Sequence, residues 1–232
     1  MFAPFDAAVG VVYDLVTGLT SVLDPVTGGL SAAVAIIVFT AAVRLILLPL
    51  SRRQARAGRI RLRLEPQARK IRERHRDDPV RAHEEMAKLY RAEGTSMFAG
   101  IGPSLLQIPV FTVVYRMFLS PSVGGHANLL LAHTLLGTPL GQRWLFTGLL
   151  PHGLVFLALI ALLAVAAWWT SRNMSRYQPL PPGALGKLMK VMPFSTLAVA
   201  AYVPLAAVLY VLTTTIWTAA ERATLWRDPS TT

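Results

Sequence analysis

LSAAVAIIVFTAAVRLILLPL, residues 30–50, carries one charge, Arg44, in an otherwise almost wholly apolar run, and SRRQARAGRIRLR follows at once at 51–63. About 20 predominantly apolar residues suffice for a helix to cross the hydrocarbon core of a bilayer, and an abrupt change to arginine marks where a chain leaves it. Residues 30–50 therefore read as a membrane span and 51–95 as a segment outside the lipid. The composition agrees: 53% of the 232 residues are hydrophobic while the net charge is +11, so apolar and basic residues must occupy different stretches. A soluble domain would break its apolar residues into shorter amphipathic runs.

On the N-terminal side, Phe5, Val9, Val12, Leu15, Val16, Leu19 and Leu23 recur at mostly three- and four-residue spacing, interrupted by Asp6 and Asp14. Residues 1–29 are thus expected to hold an amphipathic helix lying on the outer membrane surface, broken at Asp24-Pro25 and Gly28-Gly29. No Lys or Arg precedes Arg44, so the N-terminus lacks the form of a cleavable signal peptide and is expected to be retained.

On the C-terminal side, residues 51–95 hold fourteen Lys or Arg against seven acids. Asp77-Asp78-Pro79 divides two helical arms, with Pro79 placed to start the second. Leu64, Ala68 and Ile71 on one arm and Val80, Ala87 and Tyr90 on the other could form an apolar seam, which predicts an antiparallel helical hairpin. Further spans are expected at 97–119, with Gln107, Pro109, Tyr115 and Arg116, and at 149–169, which ends in Trp168-Trp169 as at a membrane interface. Pro121, Gly124 and Gly125 open a mixed loop between them. A polar loop at 171–190 carries Arg172, Arg176, Lys187 and Lys190 among Pro179, Pro181 and Pro182. The last apolar block is too long for one ordinary span, and Tyr202-Val203-Pro204 near its middle suggests two short spans, 191–202 and 204–220. One long, tilted and kinked helix is the alternative.

Charge distribution tests the count. Lys and Arg concentrate in 51–95, in 171–190 and after residue 220, whereas 1–43 has none and 120–149 has only Arg143. Five spans place every basic region on the cytosolic side, with the N-terminus outside and the tail 221–232 inside. The expected fold is all-α: five transmembrane helices making a core at 30–220, with a cytosolic hairpin. The chain has no cysteine, and His75, His83, His126, His133 and His152 are scattered. Neither a metal site nor a cofactor is expected, and the spans lack a His/Asp/Glu cluster, so no catalytic residues and no enzyme are expected. Seven interspersed acids keep the hairpin from reading as a nucleic-acid arm.

An arginine facing lipid at the middle of a span would cost on the order of 3 kcal/mol, so an inward-facing, functional Arg44 is the default hypothesis. Six residues separate it from Leu50, roughly 9 Å of helix at 1.5 Å per residue. The alternative is an arginine snorkelling to the cytosolic interface. Thr40 sits one turn away on the same face, and Gln107, Tyr115 and Tyr210 offer donors and acceptors on other spans, with Thr112 and Thr214 behind them. Each has a plainer reading: Thr40 bonding its own helix carbonyl, the tyrosines as interfacial belts, Gln107 as an interhelical bond. Arg44 and Gln107 would also suit a transporter or channel for a small anionic solute, and a structural scaffold stays open.

Several strings, in order, carry a family resemblance: Thr40-Ala-Ala-Val-Arg44 with Leu47-Leu-Pro-Leu50, then Leu64-Glu-Pro-Gln67 with Lys70-Ile-Arg-Glu-Arg74, and Met86-Ala-Lys-Leu-Tyr90. Leu105-Leu-Gln-Ile-Pro-Val-Phe111 with Tyr115, Met192-Pro193 and Val208-Leu-Tyr210 complete the set. In these the chain resembles the YidC family of membrane protein insertases. It departs from the family at Tyr202-Val-Pro-Leu205, where members often carry Phe-Pro-Ser-Gly, at Val211 in place of a second tyrosine, and at Thr215 in place of an asparagine. The resemblance implies a groove open to the cytosol and to lipid but closed outside, with Arg44 as its main positive charge. It implies a plasma-membrane protein that takes short hydrophilic segments of nascent membrane proteins into that groove and releases their apolar spans to the bilayer. It works as a monomer on this reading, with the ribosome and the Sec translocon as further candidate partners.

Overall fold

A computed structural model describes residues 3–96, 101–146, 153–178, 180–181 and 183–226, with backbone alone at 3–4, 101–107 and 146. The described residues form α1 (Ala3–Thr27), α2 (Ser31–Ile46), α3 (Leu48–Arg74), α4 (Pro79–Ala92), α5 (Ile101–Leu119), α6 (Gly153–Tyr177), α7 (Ala184–Val191), α8 (Ser195–Tyr202) and α9 (Leu205–Leu225). The fold is all-α apart from two small hairpins between α5 and α6. The expected starts of two spans, at 97–100 and 149–152, and the tail beyond 226 lie outside the described residues.

Helix is what an apolar chain must form in lipid, where each backbone N–H and C=O needs a partner and no water supplies one. Among the described residues, three helical stretches are long and apolar enough to cross a membrane: Phe5–Ile46, Gly153–Tyr177 and Ala184–Tyr202, with a shorter apolar helix at Ile108–Leu119. α9 is more polar because of Thr213, Thr214, Thr215, Glu221 and Arg222. Its first half is nonetheless enclosed, with Leu205 through Tyr210 and Leu212 buried and packed against α2 and α6. Ile36 of α2, Phe118 of α5, and Phe156 and Leu163 of α6 are fully buried in the same core.

Several boundaries differ from the sequence expectation. α1 runs through Pro25 to Thr27, because a proline in the last turn removes one intrahelical bond and Gly28, at φ +52°, makes the actual turn. The helix that begins the expected 30–50 span ends at Ile46, not Leu50. Pro49 cannot donate to the Leu45 carbonyl and its ring crowds it, so the helix stops and restarts about Leu47, whose carbonyl then accepts from Leu50 and Ser51. The polarity of 171–190 does not mark a loss of helix throughout. α6 continues to Tyr177 and α7 starts at Ala184, so the fourth apolar stretch begins there and not at residue 191. In the last block, Val203 and Pro204 are both extended, which separates α8 from α9 as two helices.

α3 and α4 pack together, with Asp78 accepting from the Arg81 N–H at 3.0 Å as the cap of α4 and Pro79 in its first turn. Leu64, Ala68, Ala82 and Tyr90 are buried along this contact, but Val80 is 67% exposed. Val80 and Ala82 stand about 80° to either side of Tyr90 at 100° per residue, and it is the Ala82 side that is buried, so Ala82 rather than Val80 shares the seam.

The segment between α5 and α6 was expected as a mixed loop, and it folds into two antiparallel hairpins, Ser122–Val123 with His126–Ala127 and Thr134–Leu135 with Thr138–Pro139. Its function in the fold is to satisfy helix ends. Asn128 Nδ2 donates to the carbonyls of Met117 (2.9 Å) and Ser120 (3.0 Å) at the end of α5. The Gln142 and Leu140 carbonyls accept from the Leu205 and Ala206 N–H groups, 2.9 Å each, at the start of α9. Leu130 and Leu140 are fully buried beneath it.

Replacing Asn128 by alanine strips two hydrogen bonds from a buried helix end. Thermal unfolding in detergent micelles should show a loss of about 1–3 kcal/mol, and Asn128→Asp a larger one, because a carboxylate would face two carbonyl oxygens. An unchanged melting temperature for both would show that the loop does not hold the bundle.

Candidate functional site

Three helices meet around Arg44. Thr40, Val43 and Arg44 of α2, Leu47 just after it, Ile108, Val110 and Phe111 of α5, and Tyr210 of α9 line a cavity of about 290 Å³. Phe111 stacks on Tyr115 with ring centres 5.3 Å apart and tilts against Tyr210 at 5.7 Å, while Phe118 also tilts against Tyr210 at 6.0 Å. These aromatic contacts tie Phe111 of α5 to Tyr210 of α9 in the cavity wall. Arg44 also lines a second, more polar pocket of about 270 Å³ with Ser51, Gln54, Thr218, Glu221, Arg222 and Trp226. Its guanidinium thus stands between an apolar chamber and a polar one.

Arg44 is half-buried, and among the described residues no carboxylate lies within ion-pairing distance of it. Glu221 faces the polar pocket but takes a 2.8 Å hydrogen bond from Trp217 Nε1. A cation held this way keeps donors for an incoming anion. Because α2 ends at Ile46, Arg44 lies only about 3 Å from the helix end by rise per residue, not the 9 Å expected. It occupies the last turn, where unsatisfied carbonyls favour a positive charge.

The other sequence-derived candidates divide. Thr40 is buried and donates to the Ile36 carbonyl at 2.6 Å, and Thr112 is exposed and donates to the Ile108 carbonyl at 2.8 Å, so both hydroxyls are occupied by their own helices. Thr40 still lines the cavity, and Thr112 does not. Thr213, Thr215 and Thr218 likewise bond carbonyls four residues back. Thr214 differs: its Oγ is buried one turn beyond Tyr210 and does not bond a carbonyl of its own helix. Tyr115 reaches the cavity only through Phe111. The side chain of Gln107 lies outside the described residues.

Sequence reasoning passed over Glu221 and Arg222. Tyr210, Thr214, Thr218 and Glu221 recur at three- and four-residue spacing, a polar stripe down one face of α9 that was there to be read. Beyond the pocket the helix ends are tied together. Arg59 Nη1 donates to the Leu225 carbonyl at 2.6 Å, and the Trp226 indole occupies the space that a side chain on Gly58 would need. Trp226 meets Tyr177 edge-on at 5.7 Å, and Arg222 lies over the Tyr177 ring at 5.8 Å.

A bundle of apolar helices with an arginine between two chambers defines a multi-pass integral membrane protein. The chain belongs to the 60Kd inner membrane protein family, whose model matches residues 22–230. The membrane protein insertase YidC of Acidiphilium cryptum (strain JF-5) is 31% identical over 167 residues, covering 69% of this chain and 28% of that protein. Those of Zymomonas mobilis subsp. mobilis and Streptomyces avermitilis are 31% identical over 190 residues and 28% over 212. They cover 79% and 82% of this chain, and 31% and 50% of the relatives. The chain therefore spans half or less of the length of these relatives. The resemblance carried by the motifs is borne out at the level of the family.

The absence of native cysteine makes single-cysteine probing clean. A water-soluble maleimide added to membranes should label Thr218→Cys, which lines the polar pocket, much faster than Thr112→Cys on the outer surface of α5. Equal labelling of both would mean that the pocket is no wetter than the lipid-facing surface.

Proposed function

We propose that this protein is a membrane protein insertase. It takes short hydrophilic segments of nascent membrane proteins into a polar groove at Arg44 and releases the adjoining apolar spans into the bilayer. The observation that carries the reading is the position of Arg44, shared by an apolar chamber against α5 and a polar pocket toward the basic ends of α3 and α9. The names of the relatives, each a membrane protein insertase, support it over a solute transporter.

The topology proposed with it has five spans, near 30–50, 97–119, 149–169, 191–202 and 204–220, adjusted by the helix ends above. The N-terminus and the helix of residues 1–29 lie on the outer side. The hairpin of 51–95, the 171–190 segment and the tail are cytosolic, as the distribution of Lys and Arg favours. The loop that binds the ends of α5 and α9 then closes the groove outside, which fits a path open from one side only.

The mechanism follows from solvation. Carrying a polar tail across about 30 Å of hydrocarbon strips water from charges and peptide groups. A groove reaching in from the cytosol shortens that path. Arg44 attracts acids in the entering tail, Tyr210 and Thr214 offer hydroxyls beside it, and the apolar wall from α5 guides the following span toward lipid. No covalent bond changes. A membrane potential positive outside adds about 2.3 kcal/mol per negative charge per 100 mV. The partners on this reading are nascent membrane proteins and the lipid bilayer, with the ribosome and the Sec translocon as further ones, and the protein acts as a monomer in the plasma membrane.

Reconstitution into liposomes with a single-span substrate bearing a short acidic translocated tail tests this by protease protection. Wild type should insert the substrate. Arg44→Ala should insert about tenfold less, as expected for loss of a charged hydrogen bond, and Arg44→Lys should retain most activity. No insertion by wild type would sink the insertase reading, and full activity of Arg44→Ala would remove Arg44 from the mechanism.

A further inference from the structure

Next to the polar pocket at Arg44, with Trp226 as the shared wall, Arg56, Arg59 and Arg63 of α3 converge with Arg176 of α6 on a cleft of about 600 Å³ that Glu93 also lines. Four guanidinium groups face a single carboxylate. Glu93 is taken by Arg63, and Arg59 spends one nitrogen on the Leu225 carbonyl. Arg56 and Arg176 have no carboxylate within ion-pairing distance among the described residues. The walls are held in place, because Trp226 is seated on Gly58 and against Tyr177, the neighbour of Arg176. Like charges gathered in a fixed cleft repel one another, and an anion that bridges them relieves that repulsion.

We propose that this cleft binds a phosphate group, carried either by an anionic phospholipid at the membrane surface or by a soluble phosphate compound. Guanidinium forks match the tetrahedral oxygens of phosphate bidentately, which a lysine cluster would not do. Arg176 lies about 12 Å along the helix from Trp168, at 1.5 Å per residue, so the cleft stands just beyond the expected interfacial belt, within reach of lipid headgroups. The cleft shares Trp226 with the polar pocket at Arg44 but none of its arginines, and phosphate binding is read without any insertion assay, so the proposal and the insertase reading fail on different measurements.

The test is made on the full chain in detergent. Native mass spectrometry would follow binding of short-chain phosphatidylglycerol, with phosphatidylcholine as the neutral comparison, and equilibrium dialysis would follow labelled inorganic phosphate. Wild type should bind phosphatidylglycerol saturably. Arg56→Gln combined with Arg176→Gln should bind about tenfold more weakly, as expected for loss of charged hydrogen bonds. Arg69→Gln combined with Arg72→Gln, an equal charge change outside the cleft, should bind as wild type. The same pattern with inorganic phosphate, and none with phosphatidylglycerol, would assign the site to a soluble phosphate compound. Equal loss in both double variants, equal binding of phosphatidylcholine, or unchanged binding in the cleft variant would overturn the proposal.

Discussion

A peptide group inside hydrocarbon must find its hydrogen-bond partner within the protein, and the structure is arranged around the places where a helix cannot supply one. α9 is the clearest case. It starts in the middle of an apolar block, after an extended Val203-Pro204, and its first N–H groups are buried. The carbonyls of Leu140 and Gln142 meet two of them, and Asn128 deals with the opposite polarity at the end of α5. The inter-span loop is therefore part of the bundle, and its two hairpins place those carbonyls where the helices need them.

At the other end of the bundle, satisfaction comes from long side chains. Arg59 caps α9 from α3, and Arg222 and Trp226 pack on Tyr177. The two ends thus differ in chemistry: backbone carbonyls and apolar burial at one, guanidinium groups and aromatic rings at the other. Arginine stems pack against apolar walls while their heads stay hydrated, so the second end can hold water without losing its contacts. The polar pocket beside Arg44 lies at that end.

Much of this was legible in the sequence because hydropathy reports directly on contact with lipid. The apolar blocks, the basic hairpin and the break at Val203-Pro204 all announced themselves. What hydropathy does not report is where a helix stops. Pro49 ended α2 early despite apolar neighbours, and Lys187 and Lys190 sat on a helix despite their charge. Two-residue strands are too short to show alternation, so the hairpins at 122–127 and 134–139 left no signal. At the candidate site the types were readable but not the orientations: Thr40, Thr112 and Thr214 look alike in sequence, yet two bond their own helices and one does not. Glu221 was visible only as part of a stripe with Tyr210, Thr214 and Thr218.

One residue, Leu47, joins the helix that carries Arg44 to the 27-residue α3, and Trp226 grips α3 at Gly58. About 16 Å of helix, at 1.5 Å per residue, separates the join from the grip. Arg59 fastens the same stretch to the end of α9. The wall that α3 lends to the polar pocket beside Arg44 is therefore set from outside the helix, by the last residues of α9, and a change at Trp226 reaches the charged chamber without touching Arg44 itself.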